Sequence, residues 1–249
     1  MTARVTGLWR HPVKSHGREP LDNLRLTAGQ TMPWDRTWAV VHDAARISGA
    51  EWSPCANFNN GAKAPGLMAI DARLDEATET LTLTHPDLPD LTFRPDADPQ
   101  ALIAWSRPLI PEARAQSARI IRVPGRGMTD TDFPSVSIGN MASHRVVAAK
   151  LGRSLSEKRW RTNIWFDGMP PWEEGDWIGR SIRIGRAEIA VREPVLRCLA
   201  TTANPDTGKR DADTLGVLNA ERAFCVYGEV IASGDIARDD SIEVLPIWN

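Results

Sequence analysis

The sequence predicts a mainly β protein with a few helices (α+β), an N-terminal β-barrel-like part packed on a C-terminal barrel, and three observations carry that prediction. Apolar residues recur with period two over most of the chain, turn-forming Gly, Pro and Asp interrupt the alternation at short intervals, and segments with helical caps are few. In "TLTLTHPDLPDLTF" (80–93) threonine and leucine alternate, a Pro-Asp turn follows, and Leu91 and Phe93 resume the pattern, as in a strand pair. "RTWAVVHDAARISG" (36–49) reads as a strand with Trp38 and Val40 on one face, then a polar turn over His42–Arg46. "SIRIGRAEIAVREPVLRCLA" (181–200) gives two strands around a Gly185–Ala187 turn, with Ile182, Ile184, Ile189 and Val191 as the apolar set. "AFCVYGEVIASGDIARDDSIEVL" (223–245) continues with strands parted by Gly-Asp and Asp-Asp turns.

Helices are marked by their ends. Asp98 can cap a short helix over "PQALIAWS" (99–106), with proline in its first turn. Asn140 can cap "MASHRVVAAKL" (141–151), which stops at Gly152. "ADTLGVLNAER" (212–222) is a third candidate. Proline-rich stretches at 87–100 and 107–113 mark a seam, so two parts are expected at 1–97 and 98–249.

A chain of 249 residues can bury the cores of two small packed domains. A net charge of −2 leaves no basic excess to neutralise phosphates, which argues against a nucleic-acid partner. Ten tryptophans against one tyrosine point to aromatic packing. The three cysteines, Cys55, Cys198 and Cys225, form no C-x-x-C pair, which disfavours a disulfide framework, a zinc ribbon and a cysteine-ligated iron–sulfur cluster. "MTARVTGLWRHPVK" lacks the apolar core of a signal peptide, and no window reaches the length of a membrane span. A soluble cytoplasmic protein with no membrane partner is expected.

Cys198 can be read in two ways. Val195, Leu196 and Leu199 around it suit a buried core thiol. Arg197 beside it suits a thiolate that serves as nucleophile or soft metal ligand, although strand alternation can send the two side chains apart. In "HPVKSHG" (11–17) the proline extends the chain so that Lys14 and Ser15 can face an anion; an exposed loop lysine is the plainer reading. "WDRTW" (34–38) places Arg36 between tryptophans, suited to a salt bridge or a phosphate. "RWRTNIWFDG" (159–168) offers Arg159, Arg161 and Asn163, which share one face if extended. "PWEEGDW" (171–177) reads as a solvated acidic turn. "DTGKR" lacks the upstream glycine of a phosphate loop, no G-x-G-x-x-G follows a strand, the five histidines lack metal-ligand spacing, and no G-x-S-x-G elbow occurs.

Taken in order, "HPVKS", "WDRTWAVV", "FPSVSIGNMAS", "RWRTNIWFDG", "RCLATTANPDTG" and "FCVYGEV" resemble the MOSC family over nearly the whole chain. They are similar in particular to its two-domain members, an N-terminal β-barrel domain followed by a MOSC domain, related to the amidoxime-reducing component and bacterial N-hydroxylated-base reductases. The resemblance implies a molybdenum cofactor, with Cys198 as catalytic metal ligand beside the dithiolene of molybdopterin. It implies that Lys14, Ser15, Arg36, Arg161, Asn163 and Arg197 hold the cofactor's phosphate and pterin, with Asn140 and Ser143 nearby and Tyr227 at an aromatic position of the family. At the level of the domain it also carries an association with pyridoxal phosphate binding. The implied activity is reduction of small N-hydroxylated compounds, with electrons from a separate flavin, haem or iron–sulfur protein. Two alternatives stay open: a carrier of the cofactor or of persulfide sulfur on Cys198, and a barrel-type interaction module with Cys198 in its core. The chain departs from the family at Cys225, where glycine is usual, in the short segment "KRDADTLGVLN", and in having no ferredoxin-like domain after it.

Overall fold

The computed structural model of the protein describes residues 2–49, 51–123, 126–218 and 223–246. The first strands are β1 (Ala3–Arg10), β2 (Glu19–Leu21), β3 (Asn23–Leu26), β4 (Trp38–His42), β5 (Asp71–Asp75), β6 (Thr80–His85) and β7 (Leu88–Phe93). Helix α1 (Pro99–Ser106), β8 (Ser117–Arg122), β9 (Val136–Asn140), α2 (Met141–Lys150) and β10 (Ile164–Asp167) follow. The chain continues through β11 (Ser181–Ile184), β12 (Ala187–Leu196), α3 (Thr214–Val217), β13 (Ala223–Ala232), β14 (Gly234–Ala237) and β15 (Ser241–Val244). No described helix is long and apolar enough to cross a membrane.

Seven strands close into a barrel in the order β10-β9-β13-β12-β11-β15-β1, because β1 pairs with β10 as well as with β15. The alternation seen in the sequence builds its core. Ile182 lies opposite Ile189 and Ile184 opposite Ala187, all buried, while Arg183 and Glu188 pair outside at 2.7 Å. Val5, Leu8, Ile138, Phe166, Val226 and Ile242 fill the same interior. Among the described barrel strands only β9 and β10 run parallel, and the crossover that parallel pairing requires carries α2. Asn140 starts that helix by accepting from the Ala142 amide at 2.9 Å, and Gly152, at φ +65°, follows its end.

The N-terminal unit holds the β5-β6-β7 sheet and the β4–β8 ribbon, with β3–β14 as a further pair. Every residue of β4 is buried. Trp38 and Val40 pack with Leu81, Leu83 and Phe93, whereas Ala39 and Val41 pack with Phe58, Ile121 and Met128. Both faces are therefore core. Helix α1 begins as expected, with the Asp98 carboxylate accepting from Ala101 and Pro99 in the first turn. Helix α3 is shorter than the expected 212–222; positions 219–222 lie outside the described residues. Gly234 and Asp235 are not a turn but the start of β14, paired with β3. A side chain on Gly234 would strike the Arg186 backbone at 2.1 Å, which reserves this position for glycine.

The two units exchange strands across the proline-rich seam. The first strand completes the barrel of β9–β13 and β15, and β8, beyond the seam, pairs with β4. A hairpin over residues 203–211 clamps them further. Its Gly208, at φ +68°, lies so close to Gly66 that a Cβ there would stand 2.7 Å from the Gly66 Cα. Arg18 donates to Pro205 O at 2.7 Å, and Arg210 donates to Ala62 O at 2.8 Å.

Gly208→Ala should destabilise the fold by about 2–4 kcal/mol, since it combines left-handed strain with a backbone clash. Gly152→Ala, with φ +65° but nothing within 4 Å, should cost only about 1 kcal/mol. Urea unfolding of both variants measures the difference, and equal costs would refute the clamp.

Candidate functional site

Between the two units lies a cleft of about 290 Å³. The barrel side contributes Ser137, Arg159, Arg161, Val195, Leu196, Arg197, Cys198 and Tyr227; the N-terminal side contributes Lys14, Ser15, Arg36 and residues of the 55–68 loop.

Cys198 ends the extended run of β12 and precedes a 3₁₀ turn over Leu199–Thr202. Its side chain is exposed and lines the cleft, so it is no core thiol. The turn is fixed from within. The Thr201 amide and hydroxyl both donate to Cys198 O at 3.1 Å, and Arg159, buried, donates to Thr201 O at 2.9 Å and to Asp211 at 3.3 Å. Arg197 departs to the other side. It is buried, donates to Phe224 O at 2.8 Å and Trp160 O at 2.7 Å, and packs over both aromatic rings. Strand alternation thus separates guanidinium and sulfur, although both reach the cleft.

The "HPVKSHG" segment is a tight turn rather than an extended arm. Val13 bridges His16, and Ser15 sits at φ +64°. Lys14 is buried, donating to Met128 O at 2.8 Å and forming an ion pair with Asp130. Arg36 is not held between tryptophans: Trp34 and Trp38 stack on each other with Arg122 over them. Instead Arg36 pairs with fully buried Asp35 and donates to Arg161 O at 3.2 Å. Asp35 also accepts from the His11 amide at 2.8 Å. Burial opposes ionisation of Asp35, yet Arg36 and His11 hold its carboxyl well below the usual range.

Arg161 is the residue that defines the site. The 157–160 segment is a 3₁₀ turn, and Arg161 follows at φ +52°, so Arg159, Arg161 and Asn163 do not share one extended face. Its Nη1 and Nη2 are buried and have no hydrogen-bond partner. Burial, then the positive charges of Arg36 and Arg18, pull its guanidinium down to about 9. Ser15, Arg36 and Arg161, all left-handed, line the same cleft. Such conformations persist where surrounding structure imposes them and concentrate at binding sites. Two cations with too little counter-charge make an anion site. Among the described residues no cluster of three His, Cys, Asp or Glu could hold a metal, so Cys198 would need ligands from outside the chain.

Three expected residues do not line the cleft. Asn163 accepts from the Ser137 amide at 3.1 Å and donates to Trp9 O at 3.1 Å, tying β10 to its neighbours. Asn140 caps α2 and donates to Pro170 O at 2.7 Å. Ser143 donates to Glu174 at 2.9 Å and accepts from the Trp172 amide at 2.8 Å. That Glu174 is buried, with burial raising its carboxyl above the ordinary range, so "PWEEGDW" is not wholly solvated. Cys225 is buried, and burial pushes its thiol up to about 11. Sequence reading overlooked Cys55 and Asp130, which line the same cleft; no motif marks either.

Residues 2–107 match the model of the MOSC N-terminal beta barrel domain, and residues 129–243 that of the MOSC domain. The chain belongs to the MOSC family. MOSC domains are known for binding the molybdenum cofactor. Among solved structures it is similar to the YuaD protein from Bacillus subtilis, 15% identical over 98% of this chain and 96% of that one, with a TM-score of 0.48. It is also similar to YiiM from Geobacillus stearothermophilus, 16% identical over 45% of this chain and 54% of that one, TM-score 0.36. YiiM from Escherichia coli is 18% identical over 46% and 55%, TM-score 0.35. The chain thus spans about half the length of either YiiM. No curated protein matches it.

Two buried histidines flanking Lys14 make the fold pH-sensitive. Burial, then the nearby Arg161, lowers His11 to about 3, and burial lowers His16 to about 4. Both native values lie below the unfolded one near 6.5, so the unfolded chain takes up protons that the native state refuses. Stability should therefore be full above about pH 6.5 and fall as pH drops toward 4, by up to about 1.4 kcal/mol per unit for each histidine. Urea midpoints taken across that window measure it, and a flat profile refutes the neutral, buried assignment.

Proposed function

We propose that this MOSC protein binds molybdenum cofactor in the interdomain cleft and reduces N-hydroxylated small molecules. The observation carrying the reading is a solvent-reachable thiol, Cys198, in one cleft with a buried guanidinium, Arg161, whose terminal nitrogens lack partners. The donor set fits the group. Cys198, deprotonated, would supply a soft protein ligand to the metal. Arg161 and Arg36 would take the cofactor's phosphate and pterin oxygens, with Lys14 and Ser15 beside them.

When bound, the cofactor supplies the two-electron chemistry that breaks the N–O bond. The chain's own groups hold and orient. Asp35 aligns Arg36, Arg159 and Thr201 fix the turn that aims Cys198, and Arg197 ties that strand end to Phe224 and Trp160. Tyr227 lines the cleft with its phenol kept protonated by burial, so it can donate but not accept charge. Electrons would come from a separate redox protein in the cytoplasm. A carrier reading draws on the same exposed thiol; it requires a one-sulfur mass gain on Cys198 without reductase activity.

Protein made in a cofactor-competent host should contain near-stoichiometric molybdenum, with more than ten-fold loss in Cys198→Ser and in Arg161→Met. Metal analysis with benzamidoxime reduction decides it: full molybdenum in both variants, or none in wild type, refutes the reading.

A further inference from the structure

The cleft is basic except at one point. Lys14, Arg36, Lys63, Arg159, Arg161 and Arg197 line it, and Asp130 is the one acidic side chain among the described lining residues. The nearby cations are largely engaged: Arg36 by Asp35, Arg159 by Asp211 and carbonyls, Arg197 by carbonyls. Asp130 is not used up. Lys14 bonds its Oδ1, and the side chain remains 46% exposed. A carboxylate has about four acceptor sites, so free ones remain. Burial opposes its ionisation, but Lys14 and Arg36 outweigh that and keep the carboxyl below its usual range. The Cys55 thiol, pushed up to about 11 mainly by burial, stays uncharged in the same cleft.

The same cleft also has apolar wall: Ala56, Met68, Ala200 and Leu196 line it, and Leu196 is 68% exposed. An ionised carboxylate can only accept hydrogen bonds, so it discriminates between ligand heads that carry N–H or O–H and heads that do not.

We infer that Asp130 is the specificity-determining residue of the substrate subsite, accepting N–H donors of an amidoxime-type head whose apolar body lies against Ala56, Met68 and Leu196. The inference rests on the reductase reading, whose cofactor would take Arg161 and Arg36 and leave the unbonded oxygen of Asp130 to the substrate. Asp130 then rejects N–O compounds without a donor, such as aromatic N-oxides, and leaves amidoximes preferred.

The test measures binding of benzamidoxime and of pyridine N-oxide to the molybdenum-loaded protein by calorimetry, with turnover of both. Wild type should favour benzamidoxime by about ten- to a hundred-fold, the range for a hydrogen bond to a charged group. Asp130→Asn should lose that preference through Kd and KM while keeping molybdenum content and Tm, and Asp130→Glu should recover part of it. The half-exposed side chain makes both substitutions tolerable to the fold, and Asp130→Ser gives a second neutral variant with the same expected loss. No preference in wild type, or a preference that survives Asp130→Asn and Asp130→Ser, overturns the inference. So does loss of molybdenum in those variants, which would assign Asp130 to the cofactor through Lys14. The two readings fail separately. An Asp130-dependent preference in protein that reduces neither probe keeps the subsite and removes the reductase, whereas turnover indifferent to Asp130 does the reverse.

Discussion

A guanidinium buried with both terminal nitrogens unpaired is the constraint around which this molecule is arranged. Removing such a group from water without a counter-ion costs several kcal/mol, so a chain that keeps one must gain from it elsewhere. The backbone that carries Arg161 is fixed. It is left-handed, its carbonyl is engaged by Arg36, and its neighbours Trp160 and Thr162 are buried. Arg36 in turn is held by Asp35, which sits at zero exposure and organises His11 as well. The local charge is balanced except where the cleft opens. An anionic ligand would supply the missing partner.

The architecture that holds this imbalance is an exchange of elements between two units. Because β1 closes the barrel and β8 pairs with β4, neither unit is a contiguous piece of chain. The cleft is therefore framed by backbone anchored on both sides. The hairpin at 203–211 adds a direct brace, with Gly208 against Gly66 and arginines reaching carbonyls across the boundary. This hairpin directly follows the turn carrying Cys198. Fixing the hairpin fixes the thiol.

Cys225 shows how the same barrel tolerates an exception. It adopts φ +70°, a conformation that favours glycine, and a Cβ on the facing Gly139 would stand 2.7 Å from its Sγ. The sulfur fills space that Gly139 leaves open. Thr162 lies 3.4 Å from it, and Arg197 donates to that threonine at 3.3 Å, so this thiol is bound into the wall behind the cleft rather than presented to it.

Period-two alternation was enough to recover β11, β12, the C-terminal strands and the β6–β7 pair, though not β1 or β9, because a strand with one wet face must alternate. Helix starts were legible at Asp98 and Asn140 because capping is a local hydrogen bond between residues two or three apart. Motif order alone pointed to Cys198, Lys14, Ser15, Arg36 and Arg161. Hydrophobic pattern could not reveal that β4 is buried on both faces, since two separate clusters enclose it. Nor could it show that Asn140, Ser143 and Asn163 turn into the scaffold, or that Cys55 and Asp130, far apart in sequence, meet in the cleft. Where the chain alone decided, the forces act between near neighbours. Where the tertiary structure decided, they act between groups brought together by barrel closure and strand exchange, and charge and accessibility have no meaning until that closure exists.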